Sequence, residues 1–193
     1  MLARGSCLAL AVFAATIHAD AQPRDAAAGQ SIELFGRSGI GRGLRFNNPF
    51  RLRTQLGSDT ESLSLTAPYF DLTVGAAFGP PDSLLHGGAL ALSIALEGVP
   101  QEVLTPSYVA LFGLPPRWVF LGRAGTPIIL EPDANLGFEL AAAAAFLVSA
   151  GMGVTAEVVG SLFYGAATPD VSTTIVPVAS FELGIWLSYE VLR

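Results

Sequence analysis

The chain has no lysine; all ten of its basic residues are arginine. Charged residues make up only 13% of the sequence and the net charge is −6, which excludes a nucleic acid as the natural partner. The only cysteine is Cys7, so the body of the chain has no disulfide and no thiolate metal site. Beyond the N-terminal segment no run of 18 apolar residues occurs. The longest candidates are interrupted by Glu97, Glu139, Glu157 or Glu182, or by proline and glycine, so helical membrane spans are not supported. Histidine is as scarce. Once the N-terminal segment is set aside, His86 alone remains as a base, at the start of a strand and beside Gly87-Gly88. There is no G-x-S-x-G, zinc-ligand spacing or P-loop. Gly39-Ile40-Gly41-Arg42-Gly43 superficially evokes a dinucleotide loop, but it ends an alternating strand and opens no helix. The expectation is a protein that is not an enzyme and carries no cofactor or metal.

What is present begins with an export pattern. Arg4 supplies a positive start, Leu8 to Ile17 an apolar run, and Ala19-Asp20-Ala21 a cleavage site, so residues 1–21 read as a signal peptide. Residues 22–30 read as a flexible leader and 31–193 as one β domain. With no disulfide, an exported domain needs another source of stability. A closed barrel in a bilayer supplies one, because it pairs every backbone group and leaves no edge.

From Ser31 on, hydrophobic residues recur with period two. Aromatic pairs repeat eight residues apart: Phe70 and Phe78, Phe138 and Phe146, Phe181 and Tyr189. Eight is even, so each pair shares one side of a strand. At roughly 3.3 Å per residue and a tilt of about 40°, eight steps span about 20 Å of height, close to the apolar band between the aromatic girdles of a transmembrane barrel. Tyr108, Phe112, Trp118 and Tyr164 complete the expected girdle.

Eight strands are expected, at about 31–44, 69–79, 84–98, 107–114, 117–130, 137–148, 152–166 and 178–192. The middle of 45–68 has the pattern of a further hairpin. Connections alternate long and short, which places both termini at the short-turn, periplasmic end. The Ala141–Ala145 run lacks a polar side, and FELAAAAAFLV alone would pass as a helix; the parity of its flanks fits a strand.

The signal peptide, eight alternating strands, short inner turns, aromatic pairs and the terminal SYEVLR resemble the small eight-stranded outer-membrane barrels of the OmpA/OmpX type. The resemblance implies an all-β, antiparallel up-and-down transmembrane barrel in the outer membrane of a Gram-negative cell. It also implies outer-membrane lipid, lipopolysaccharide and the barrel-assembly machinery as partners. It carries little about activity.

Two candidate sites follow. By parity and depth Arg37, Arg123, Glu157 and Glu182 fall at mid-height in the lumen, with Asp71, Glu97 and Glu139 nearer the external mouth. Buried charges must pair, and the arginine fork bonds two carboxylates. A solid polar core and a narrow ion or water path both fit. Arg45, Arg51 and Arg53, beside Phe46 and Phe50, form the second cluster. It suits lipopolysaccharide phosphates or a solvated loop balanced by Asp59 and Glu61. Functionally, the first expectation is a structural or surface role such as membrane integrity or adhesion. The rivals are a narrow channel or carrier, and a soluble lipid-binding barrel with its faces inverted. A lumen void running from end to end would favour transport.

Overall fold

The structure is a computed structural model that describes residues 30–46, 64–98, 100–131, 134–164 and 175–192. The expected signal peptide, most of the leader, and Arg51 and Arg53 lie outside the described residues. All regular structure among the described residues is β-strand: β1 (Ser31–Arg45), β2 (Ser64–Leu65), β3 (Tyr69–Gly79), β4 (Leu85–Ala95), β5 (Glu102–Leu114), β6 (Trp118–Gly125), β7 (Ile128–Glu131), β8 (Asn135–Ser149), β9 (Met152–Tyr164) and β10 (Ile175–Leu192).

These strands make eight staves. β2 is a two-residue addition to the end of β1, and β6 and β7 are successive parts of one stave lying between β5 and β8. Every neighbouring pair is antiparallel, and β10 pairs with β1 from Ser31↔Leu192 to Arg45↔Val178, which closes the barrel. The register runs from Phe35 through Gly75, Ala89, Ser107, Gly125, Glu139, Ser161 and Val178, and returns to β1 at Arg45, ten residues from its start. Ten residues of rise against eight strand spacings of about 4.8 Å give a tilt of about 40°. A barrel of this size has room inside only for its own side chains and little more.

The faces follow the period of two. Leu183 on the outside is 60% exposed, while its neighbour Glu182 on the inside is 2% exposed. The same inversion holds around the barrel: Ile40, Val74, Leu140 and Val154 face out, and Arg37, Asp71, Glu139 and Thr155 are buried within. This is the pattern of a barrel whose solvent is lipid. It runs opposite to the soluble lipid-binding arrangement, which needs the apolar face inside. The alanine run obeys it too. Ala141, Ala143 and Ala145 are buried and Ala142 is exposed, and β6 and β9 pair with β8 residue by residue. Ladder bonds on both sides override the helical propensity of alanine.

Three boundaries differ from the sequence expectation. β4 stops at Ala95, so Leu96, Glu97 and Gly98 form a bend, with Gly98 at a positive φ of 79°. β5 starts at Glu102 and carries Pro106 within it. The next stave breaks at Thr126-Pro127, because proline has no N–H for the ladder. Thr126 N–H bonds Pro106 O at 3.1 Å, and Pro127 O accepts from Gly137 N–H at 2.9 Å, so the stave resumes as β7. The short ends are 80–84, 115–117 and 150–151; of the opposite connections, 132–134 is as short as these. Gly151 in the tightest turn has φ 74°, which glycine adopts without steric cost.

Candidate functional site

The interior is layered. Toward the short-turn end, Phe35, Leu85, Val109, Leu111, Leu121 and Trp186 pack with smaller side chains into a buried apolar cluster. Phe35 and Trp186 stack at 5.2 Å with planes 5° apart. Gly75 makes this possible, since a Cβ there would strike the Phe35 ring.

Above this plug lies a charge network. Arg37 projects from β1 and pairs with three carboxylates: Asp71 on β3 at 2.7 Å, Glu157 on β9 and Glu182 on β10. Arg123 projects from β6 and pairs with Glu139 on β8 at 2.7 Å and Glu157 at 3.4 Å. Glu157 therefore joins the two halves. Hydroxyls fill the remaining oxygens. Thr73 and Ser93 donate to Asp71 at 2.9 and 2.7 Å, Tyr69 to Glu182 at 2.9 Å, and Ser161 to Glu139 at 2.9 Å. Every oxygen of the four carboxylates thus has a guanidinium nitrogen or a hydroxyl within reach. The charge does not balance: four carboxylates face two guanidinium groups.

Charged side chains bonded at the centre and an apolar surface all round, in a closed antiparallel sheet, decide the type of protein. The chain has the fold of a small eight-stranded transmembrane β-barrel.

No family model matches the barrel, and no curated protein matches it. Among solved structures it is similar to Neisserial surface protein A, at 10% identity over 80% of this chain and 96% of that one, with a TM-score of 0.47. It is similar to Ail, the attachment invasion locus protein of Yersinia pestis, at 11% identity over 84% and 100% of the two chains, with a TM-score of 0.47. A de novo designed transmembrane barrel aligns at 10% identity over 86% and 100%, with a TM-score of 0.43. The likeness concerns the fold and nothing beyond it.

The barrel brings together six of the seven lumen residues expected from sequence: Arg37, Asp71, Arg123, Glu139, Glu157 and Glu182. Asp71 and Glu139 join the same network as the mid-height group, because arginine side chains bridge the difference in depth. Glu97 does not join. It lies past the end of β4, exposed, because the alternating pattern of Leu96-Glu97 outlasts the ladder. Arg45 faces inward, half-buried, and lines the external half of the lumen. The basic side chain on the outer face at that level is Arg42, which pairs in register with Phe181 and donates from Nε to Thr66 O at 3.2 Å.

Of the expected girdle, Phe70, Phe78, Phe112, Trp118, Phe138, Phe146, Tyr164, Phe181 and Tyr189 stand on outward positions. Trp118 contacts Phe120 at 6.2 Å and Phe146 at 5.1 Å. Tyr108 also faces out, but four residues before Phe112 on β5, about 10 Å deeper in the apolar band. Its hydroxyl meets His86 Nδ1 at 2.5 Å. His86 is exposed at the start of β4. Among the described residues no group of His, Cys, Asp and Glu is arranged to hold a metal.

Sequence reasoning passed over Tyr69, Thr73, Ser93 and Ser161 as members of the network, and Phe35 as part of the plug. A signal existed: each shares parity with a buried charge on its own strand or faces one across the ladder, as Ser93 faces Asp71 and Ser161 faces Glu139.

Proposed function

We propose that this barrel resides in the outer membrane of a Gram-negative bacterium, reaches it through its N-terminal signal peptide and the barrel-assembly machinery, and serves there as a closed structural or surface-exposed protein rather than as an enzyme or a transporter. The observation that carries this reading is a lumen filled toward its short-turn end: a stacked Phe35–Trp186 pair among aliphatic side chains, capped by ion pairs between two guanidinium groups and four carboxylates. A permeation path would have to break both layers. Contact with lipopolysaccharide phosphates falls to Arg42 on the outer face, with Arg51 and Arg53 in the adjoining connection.

The test has two parts. Washed outer membranes should yield a compact fast band that shifts on boiling in SDS, and planar bilayers holding the purified chain should show no steady conductance above background. Recovery in the soluble fraction with no gel shift would overturn the membrane assignment. Reproducible single-channel steps would overturn the closed one.

A further inference from the structure

Above the charge network the lumen widens into a cavity of about 100 Å³ that opens toward the long connections. One water needs roughly 10–15 Å³ of such space, so several waters or one small organic molecule fit. The walls differ in chemistry by level. Asp71, Glu139 and Glu182 form the floor, while Val103, Val159, Phe163 and Val178 line the sides. Arg45 also lines the cavity and has no ion-pair partner among the described residues. Arg123 lines it too. It is 5% exposed, and its Nε has no acceptor.

We propose that this cavity binds a small zwitterion with an apolar body, the chemistry of a free aliphatic amino acid. Its ammonium group rests on the floor, its carboxylate meets guanidinium donors, and its side chain lies against the valines and Phe163. The network holds four carboxylates against two guanidinium groups, a formal excess of two negative charges, and a carboxylate offers about four lone-pair sites, more than the bonds described above use on Glu139 or Glu182. An ammonium group supplies the missing charge and three donors. A plain amine leaves Arg45 unfilled. A plain carboxylate enters a field of its own sign. The zwitterion satisfies both, and the apolar sides exclude strongly hydrated ions, which gain nothing from them.

The experiment is calorimetric titration of the full chain, folded in detergent micelles, with three probes of one shape: L-leucine, 3-methylbutylamine and 4-methylpentanoate. The gel shift on boiling serves as the check on folding. L-Leucine should bind, the amine about tenfold more weakly, and the acid not measurably. Arg45→Gln should weaken L-leucine about tenfold and leave the amine unchanged, while Glu139→Gln should weaken both. Arg45 stands outside the charge network, so its variant keeps the test available where Glu139→Gln fails to fold. Absence of binding by all three probes at millimolar concentration overturns the proposal. So does an acid that binds as tightly as L-leucine. An amine that matches L-leucine overturns the zwitterion in favour of a simple cation site.

Discussion

Replacing Arg37 by alanine is the most severe single test of how the lumen is held. The side chain is 2% exposed and pairs with Asp71, Glu157 and Glu182. Glu157 keeps Arg123 after the change, but Asp71 and Glu182 lose the one cation each has among the described residues. Removing one partner of a buried ion pair costs about 3–5 kcal/mol, because the charge left behind stays desolvated. Two stranded carboxylates put the expected loss at the upper end of that range. With a urea slope of about 2 kcal/mol per molar, the midpoint falls by about 2 M. Urea unfolding of the barrel in lipid vesicles, followed by Trp186 emission in a Trp118→Phe background, reads this directly, since Trp186 faces Arg37 in register. Adding Asp71→Asn and Glu182→Gln to Arg37→Ala should recover most of the loss, because no charge then lacks a partner. The deficit should also narrow in acid, where carboxyl groups take up protons. An Arg37→Ala midpoint shift equivalent to less than about 0.5 kcal/mol, the scale of an exposed substitution, would refute the reasoning.

Three other outcomes follow from the same layers. Leu183→Arg puts a charge on an outward position near mid-height and should cost about 2–4 kcal/mol in vesicles; no measurable cost in the same unfolding assay would mean that this face does not meet lipid. Gly41→Ala places a methyl 2.6 Å from both Glu182 Cγ and Tyr69 Cζ and should cost about 1–3 kcal/mol, whereas Gly113→Ala, with nothing within 4 Å, should be nearly neutral by the same measure. Phe35→Ala with Trp186→Ala removes the stacked pair but leaves the charge network in place, so planar bilayers holding the double variant should still show no steady conductance; reproducible steps would show that the plug alone closes the lumen.

Much of this barrel was legible because parity survives every detail of the ladder. Once Leu183 is outside, Glu182 is inside, and the closed register carries that assignment from stave to stave. The eight-residue aromatic spacing fixed the outward side for the same reason. Depth was harder. Glu97 kept the alternation of β4 after the hydrogen bonds had ended at Ala95, and nothing in Leu96-Glu97-Gly98 marks that stop except a glycine. Pro106 argued against a strand that nevertheless forms around it, and Pro127 broke a stave that reads as continuous. Which charges meet was not legible at all. It depends on the ten-residue stagger and on the reach of an arginine across a lumen, neither of which is written in local pattern.

That reach explains why arginine fills the centre of a chain with no lysine. Ladder hydrogen bonds join each stave only to its two neighbours, so they fix the order of the wall but resist flattening of the cross-section weakly. Arg37 starts on β1, whose neighbours are β2, β3 and β10, and pairs with Glu157 on β9, which is not among them. Glu157 in turn pairs with Arg123 on β6, which is also not a neighbour of β9. The chain Arg37–Glu157–Arg123 thus braces one wall of the barrel against another through the lumen. A lysine at either end is a point charge with no fork, and it would hold one carboxylate where the guanidinium holds two or three. Arg37→Lys should therefore keep the net charge of the lumen yet lose part of the brace. Its urea midpoint should fall between those of the parent and Arg37→Ala, and a midpoint equal to the parent's would mean that charge alone, without the geometry of the fork, holds the walls together.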